Sequence, residues 1–311
     1  MLKPLSINIP FPDICDESCI FCDFKKNKQS LQTNLTNTMI ERIDIAHQLG
    51  FNDISFCSGE FLLLPPQTIE QITSFFYNKK MNANFTTNGK YLTHFSPDLL
   101  NKYDRFFVSL LTSKEELYNQ LHPNLSFDLV MDNVRQLRRN RLMNKTKIHA
   151  NVMICAITVD DLLDSYLTFR DMGYIVSFNL IQQKFTEEII TDDIKFLFDV
   201  DLFKLENVLD KILSYVNDPF VMDQRYANDI IDYFRMIKES NYKTSRFHLE
   251  KPSCYGNVVQ IYQNEKVIVY ECATKRITSE DMGSFYEKVR NCHLSCAING
   301  CNRFDIQVNE E

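Results

Sequence analysis

The sequence predicts an α/β protein: a partial (β/α)6 TIM-like barrel over residues 1–185, an acidic helical segment over 186–250, and a small β-hairpin and helix domain over 251–311. Three observations predict it. Short β-branched or aromatic runs alternate six times with amphipathic segments between Leu5 and about Gln183, the pattern of repeated β/α units around a parallel sheet. A closed barrel of eight units normally needs about 250 residues, more than this segment supplies. Beyond it the pattern turns helical, and the last residues combine a hairpin with five cysteines.

The expected strands are Leu5–Ile9, Asp53–Cys57, Ala83–Thr87, Arg105–Leu111, Ile148–Ile154 and Ile175–Ile181. Helices fall between them. Thr38–Leu49 places Ile40, Ile43, Ile45 and Ala46 at helical spacing, and Val159–Met172 opens on Asp160 and Asp161 and closes at Gly173. Two or three helices follow, over Ile194–Val216 and Asp223–Lys238. A hairpin then joins Asn257–Gln263 to Lys266–Glu271 through Asn264 and Glu265, and a short helix spans Glu280–Arg290.

Composition narrows the function classes. The 311 residues carry 34 basic and 41 acidic side chains, a net charge of −7, which argues against a nucleic-acid binder. Residues 186–250 hold 14 acidic and 8 basic groups, so most of the excess lies there, as on a solvated helical face. Seven glycines leave no dinucleotide or P-loop pattern. No stretch reads as a membrane span or secretory signal, so the expected location is cytoplasmic. In that reducing compartment ten cysteines point to metal or catalysis before disulfides.

Three of them, Cys15, Cys19 and Cys22, sit in Cys-x3-Cys-x2-Cys spacing in the loop after the first strand. Three close thiolates can hold three irons of a [4Fe-4S] cluster and leave the fourth open to an external ligand. Structural zinc would call for four closed ligands. This loop, with Phe21 just before the third cysteine, resembles that of the radical S-adenosylmethionine (radical SAM) enzymes. The resemblance implies that S-adenosylmethionine chelates the open iron and is cleaved to a 5′-deoxyadenosyl radical that takes a hydrogen atom from a substrate.

Further positions extend the resemblance. Ser58-Gly59-Glu60 is similar to the family's Gly-Gly-Glu-Pro turn, with Ser58 for a glycine and Phe61 for the proline, and implies that Glu60 pairs with the cofactor's ammonium group. Asn88, in Thr86-Thr87-Asn88-Gly89, ends the third strand. Ser109 lies on the fourth, where Leu110 and Leu111 follow instead of the family's frequent Asp. Asn151 on the fifth strand and Leu180 and Ile181 on the sixth would lie near ribose and adenine.

The tail holds Cys254, Cys272, Cys292, Cys296 and Cys301. A hairpin bringing Cys254 near Cys272, with later cysteines folded over it, makes a tetrathiolate cage that suits either zinc or iron–sulfur. Beside a radical SAM barrel it resembles a SPASM extension or its shorter twitch form, which implies one auxiliary [4Fe-4S] cluster on four of the five, with Cys296 the expected spare.

Cys57 and Cys155 read as buried core residues, although Cys155, near the C-terminal end of its strand, is also a candidate hydrogen donor to a substrate radical. His122 reads as a surface histidine at a helix end. Taken together, the resemblance implies a radical SAM enzyme that modifies a ribosomal peptide or protein by crosslinking, oxidation or epimerisation, served by a flavodoxin- or ferredoxin-type reductant. The alternatives are a twitch-type dehydrogenase of a small alcohol or aminocyclitol and a non-catalytic metal-binding protein. The first strand begins at once, so no leader-binding domain is expected ahead of the barrel.

Overall fold

The structure is a computed structural model. It describes residues 6–8, 14–22, 35–48, 51–56, 59–139, 147–181, 192–216, 222–240, 258–264, 267–272 and 278–279, with the backbone alone for 6–8 and for the last three segments.

Six strands alternate with helices as the periodicity predicts: β1 (Ser6–Asn8), α1 (Leu35–Gln48), β2 (Asp53–Phe56), α2 (Pro66–Asn78), β3 (Asn82–Thr87), α3 (Pro97–Leu100), β4 (Arg105–Leu111), α4 (Glu115–Leu121), α5 (Phe127–Arg139), β5 (Lys147–Ile154), α6 (Leu162–Asp171) and β6 (Ile175–Leu180). Neighbours β1 to β6 pair in sequence order and parallel. The expected helical segment divides into α7 (Asp192–Phe198), α8 (Leu202–Tyr215) and α9 (Gln224–Glu239). The break after α7 has a local cause, since the Asp201 carboxylate accepts from Lys204 N at 3.1 Å and starts a new helix. Asp223 caps α9 in the same way, accepting from Tyr226 N at 2.7 Å.

The tail hairpin is β7 (Val258–Asn264) against β8 (Val267–Cys272), in the register Val259↔Cys272, with β9 (Thr278–Ser279) beside β8. Its position in the sheet is not evident from the sequence. β7 pairs parallel with β1, Ile7 opposite Val259, so the barrel sheet continues into the hairpin in the order β6-β5-β4-β3-β2-β1-β7-β8-β9. Cys57, Ser58, Cys254, Cys292, Cys296, Cys301 and the helix expected at 280–290 lie outside the described residues.

The two faces of the sheet differ. Ile54, Phe56, Phe85, Phe106, Val108, Val152 and Ile154 are buried on one side. Phe56 stacks on Phe61 at 4.6 Å, Phe85 meets Phe106 at 4.6 Å, and Tyr103 closes on Phe76 of α2 at 5.1 Å. The Tyr103 hydroxyl meets Thr73 Oγ1 at 2.7 Å, so this aromatic core buries no unpaired phenol. Alternate residues face the other way, and most of them are polar: Ser55 and Asn84, then Thr86, Ser109, His149, Asn151, Ser177 and Asn179, with Phe107, Met153 and Ile175 among them. Ser55 Oγ donates to Asn84 Oδ1 at 2.6 Å, and His149 Nδ1 lies 3.2 Å from Ser177 Oγ.

Candidate functional site

Among the described residues, the cysteine loop, Gly59, Glu60 and Asn88 lie beyond the C-terminal ends of β1, β2 and β3, the end of a parallel sheet where barrel enzymes place their chemistry. The cysteine loop, residues 14–22, is fixed there from three directions. Glu60 N donates to Ile14 O at 2.7 Å, and Ile20 N donates to Leu121 O at the end of α4 at 3.1 Å. From the turn after β3, Lys90 Nζ reaches Asp16 Oδ2 at 2.6 Å and Glu17 Oε1 at 2.8 Å, while Tyr91 also donates to Asp16. Gly59 makes the first contact feasible. Its φ is +58°, and a Cβ there would sit 2.5 Å from Ile14 O, so any other residue forces the loop and the β2 turn apart.

None of the three cysteines is in a disulfide, and each is half-buried. Burial, reinforced by the neighbouring carboxylates and Cys22, pushes the Cys15 thiol up to about 11, and burial with the adjacent thiols raises Cys19 further. Cys22 thus disfavours ionisation of Cys15, and both disfavour that of Cys19, an opposition that a bound cation removes. Among the described residues no three His, Cys, Asp or Glu side chains form a group that could hold a metal ion. A zinc ion needs its thiolates roughly 4 Å apart around one centre, whereas a cluster takes each thiolate on a different iron and needs them farther apart.

Glu60 is held inside the turn. Its side chain is 0% exposed, and its carboxylate accepts from Leu62 N at 3.1 Å, Thr87 Oγ1 at 2.8 Å and Asn88 N at 2.7 Å. It ties the turn after β2 to the end of β3. Burial, only partly offset by these bonds, lifts its carboxyl to about 7. Two predicted ligand-facing residues instead hold unspent groups: among the described residues, Asn88 Nδ2 and Asn151 Oδ1 are buried without a hydrogen-bond partner. Ser109 is half-exposed on the polar side of β4.

Directly after Ser109 the strand bulges. Leu111 has φ +56°, an unfavourable conformation for a branched side chain, stabilised by Asp161, which accepts from Thr112 Oγ1, Ser113 N and Ser165 Oγ. At the far edge, Leu180 and Ile181 are buried in the core, and the Ile181 carbonyl already accepts from Tyr233 of α9 at 2.9 Å.

Two further candidates are buried. Cys155 is 0% exposed, with its thiol 3.4 Å from Thr158 Oγ1 and its carbonyl accepting from Val159 N, the surroundings of a core residue. His122 is not on the surface: it is 3% exposed, with Nδ1 3.1 Å from Cys19 Sγ. Its ring stacks on Tyr118 at 4.9 Å and 19° and meets Phe21 edge-on at 5.7 Å, and burial holds its pKa down at about 4. Lys90 and Tyr91 were also missed. Their one sequence signal is position, immediately after the Asn88-Gly89 strand end.

A Radical SAM superfamily model matches residues 9–169, more than half of the chain. No curated protein matches it. The fold is similar to that of Streptococcus suis SuiB bound to precursor peptide SuiA, at 18% identity and a TM-score of 0.56, over 68% of this chain and 46% of that one. This chain thus spans about half the length of SuiB. It is also similar to anSMEcpe with bound AdoMet, at 13% identity and a TM-score of 0.61, over 96% of this chain and 84% of that one. The same enzyme with AdoMet and the Cp18Cys peptide gives 13% and 0.60 over the same shares. At these identities the likeness is one of fold. The family match, the cysteine loop it contains and the six parallel strands lead to one conclusion: this chain belongs to the radical SAM superfamily, whose enzymes use a [4Fe-4S] cluster and S-adenosylmethionine.

Proposed function

We propose that this chain modifies a ribosomal peptide or a protein side chain by radical chemistry, with its catalytic cluster on Cys15, Cys19 and Cys22. The observation that carries the reading is the extent of the fold likeness, 96% of this chain against an enzyme also solved with a peptide. When bound, the cluster and cofactor supply a 5′-deoxyadenosyl radical that takes a hydrogen atom from the substrate.

The residues fit such a group. The loop offers three cysteines outside any disulfide, anchored through Gly59, Lys90 and the end of α4. Asn88 Nδ2 provides a donor and Asn151 Oδ1 an acceptor, both buried and unspent, and Ser109 stands on the same polar side of the sheet. Phe21 would pack beside the cluster, while Ser58 and Gly59 would meet the cofactor through backbone. Glu60 is a positioning residue that aims Asn88. Leu180 and Ile181 would form the apolar edge of the adenine site.

The proposal divides the chain into a barrel over 1–185, a helical bridge over 186–250 and an auxiliary-cluster domain over 251–311. Four of Cys254, Cys272, Cys292, Cys296 and Cys301 would hold the second [4Fe-4S] cluster, which would accept the substrate electron or bind the substrate. A flavodoxin- or ferredoxin-type donor would deliver the first electron, and such a cysteine-rich enzyme would work in the reducing cytoplasm. Among the described residues no helix is long and apolar enough to cross a membrane.

Mass spectrometry of peptides encoded beside the gene, incubated anaerobically with enzyme, S-adenosylmethionine and reductant, tests the reading. Loss of two hydrogens indicates crosslinking or oxidation, and unchanged mass with solvent deuterium uptake indicates epimerisation. Unmodified peptides together with conversion of an alcohol to a ketone would replace it with the dehydrogenase reading. Iron near eight atoms per chain supports two clusters, and about four removes the auxiliary one.

A further inference from the structure

We propose that His122 donates a hydrogen bond from Nδ1 to the thiolate of Cys19 and thereby raises the reduction potential of the radical-generating cluster. The inference rests on the assignment of Cys19 as a cluster ligand and adds a positioning residue that acts through it.

Several independent constraints fix the donor. His122 caps the C-terminus of α4, where its backbone N–H donates to Tyr118 O at 2.8 Å. The preceding carbonyl, Leu121 O, accepts from Ile20 N at 3.1 Å, so the helix end and the cysteine loop are locked one residue away from the contact. Asn124, two residues further on, donates to Ser18 Oγ beside Cys19. Between these anchors the ring is wedged face-on against Tyr118 and edge-on against Phe21, which sets its plane with Nδ1 3.1 Å from Cys19 Sγ.

The other ring nitrogen identifies the tautomer. Nε2 is buried and has no hydrogen-bond partner among the described residues. A proton on Nε2 would leave a buried N–H unpaired and turn the Nδ1 lone pair toward an anionic sulfur. A proton on Nδ1 satisfies the thiolate and leaves one unpaired acceptor, Nε2, whereas the other tautomer leaves an unpaired N–H and sets a lone pair against an anion as well, so the Nδ1–H form is the less costly arrangement. Such a bond draws electron density from the sulfur and favours the more negative, reduced cluster over the oxidised one, so the potential rises. The backbone already ties loop to helix, so a buried imidazole is not needed for that purpose.

The test is pulsed EPR on enzyme labelled with ¹⁵N-histidine, reconstituted and reduced, observing the signal that changes when S-adenosylmethionine is added. The expected result is a ¹⁵N hyperfine coupling in the wild type that is lost in His122→Asn and His122→Phe. In redox titrations the midpoint shifts to more negative potential in His122→Phe and returns toward the wild-type value in His122→Asn, whose amide N–H takes the place of Nδ1–H. Absence of the coupling in the wild type, its survival in His122→Asn, or equal midpoints in wild type and His122→Phe overturns the proposal. If His122→Phe loads no cluster, the wild-type and His122→Asn couplings decide. Failure of the underlying assignment is read separately: a Cys19→Ala chain with unchanged iron content and the same cofactor-responsive signal removes Cys19 as a ligand.

Discussion

The two faces of the barrel sheet are built from the same strands and do different work. On the apolar face Phe56, Phe85 and Phe106 stack with Phe61, Phe76 and Tyr103 into a continuous aromatic core. On the other, strand neighbours one residue away are Ser55, Asn84, Ser109, Asn151 and Ser177, and Asn151 keeps a buried oxygen unpaired. A sheet stabilised by both faces would have no reason to carry that orphan. The aromatic packing is concentrated on one side, and the unpaired polar group lies on the other.

Four predictions break or sharpen that contrast. The largest effect is functional. Cys15→Ala, Cys19→Ala or Cys22→Ala each abolishes reductive cleavage of S-adenosylmethionine and lowers iron by about four atoms per chain, read by iron analysis and product chromatography. On the apolar face, Phe85→Ala costs about 3–5 kcal/mol in denaturant unfolding of the apoprotein, because a fully buried ring leaves a cavity. An effect under 1 kcal/mol there removes the claim that this face holds the fold.

Glu60 joins the two regions and gives a pH signature. Its carboxyl rises from 4.5 unfolded to about 7 folded, so the folded state favours the proton. Its contribution to stability is fully present below pH 4.5 and is lost as pH rises through 7. Relative to Glu60→Gln, the wild-type apoprotein therefore loses about 3 kcal/mol across that window, measured by unfolding at each pH. The smallest effect is on the polar face. Asn151→Ala leaves unfolding within about 1 kcal/mol of wild type but weakens cofactor binding about tenfold by calorimetry, the worth of roughly one hydrogen bond.

Local patterns were legible. The alternation of short β-branched or aromatic runs with amphipathic segments located all six barrel strands, and the cysteine spacing located the loop because ligand spacing is a sequence property. Contacts across long separations were not. Nothing near Val258 indicates that β7 pairs with β1, about 250 residues earlier. The same holds for His122, which reads as a helix-end histidine until the fold brings it against Cys19, 103 positions away. The bonds of Glu60 are a further case, since its three donors come from the turn after β2 and from the end of β3, 27 and 28 positions away for the latter two.

The central claim, that Cys15, Cys19 and Cys22 hold a cluster that cleaves S-adenosylmethionine, is tested most directly by product formation in anaerobically reconstituted, reduced enzyme. The account predicts 5′-deoxyadenosine and methionine from the wild type and none from Cys19→Ala. Wild-type enzyme that holds iron at these cysteines and binds the cofactor yet forms no 5′-deoxyadenosine contradicts it, as does a Cys19→Ala chain that forms it at the wild-type rate.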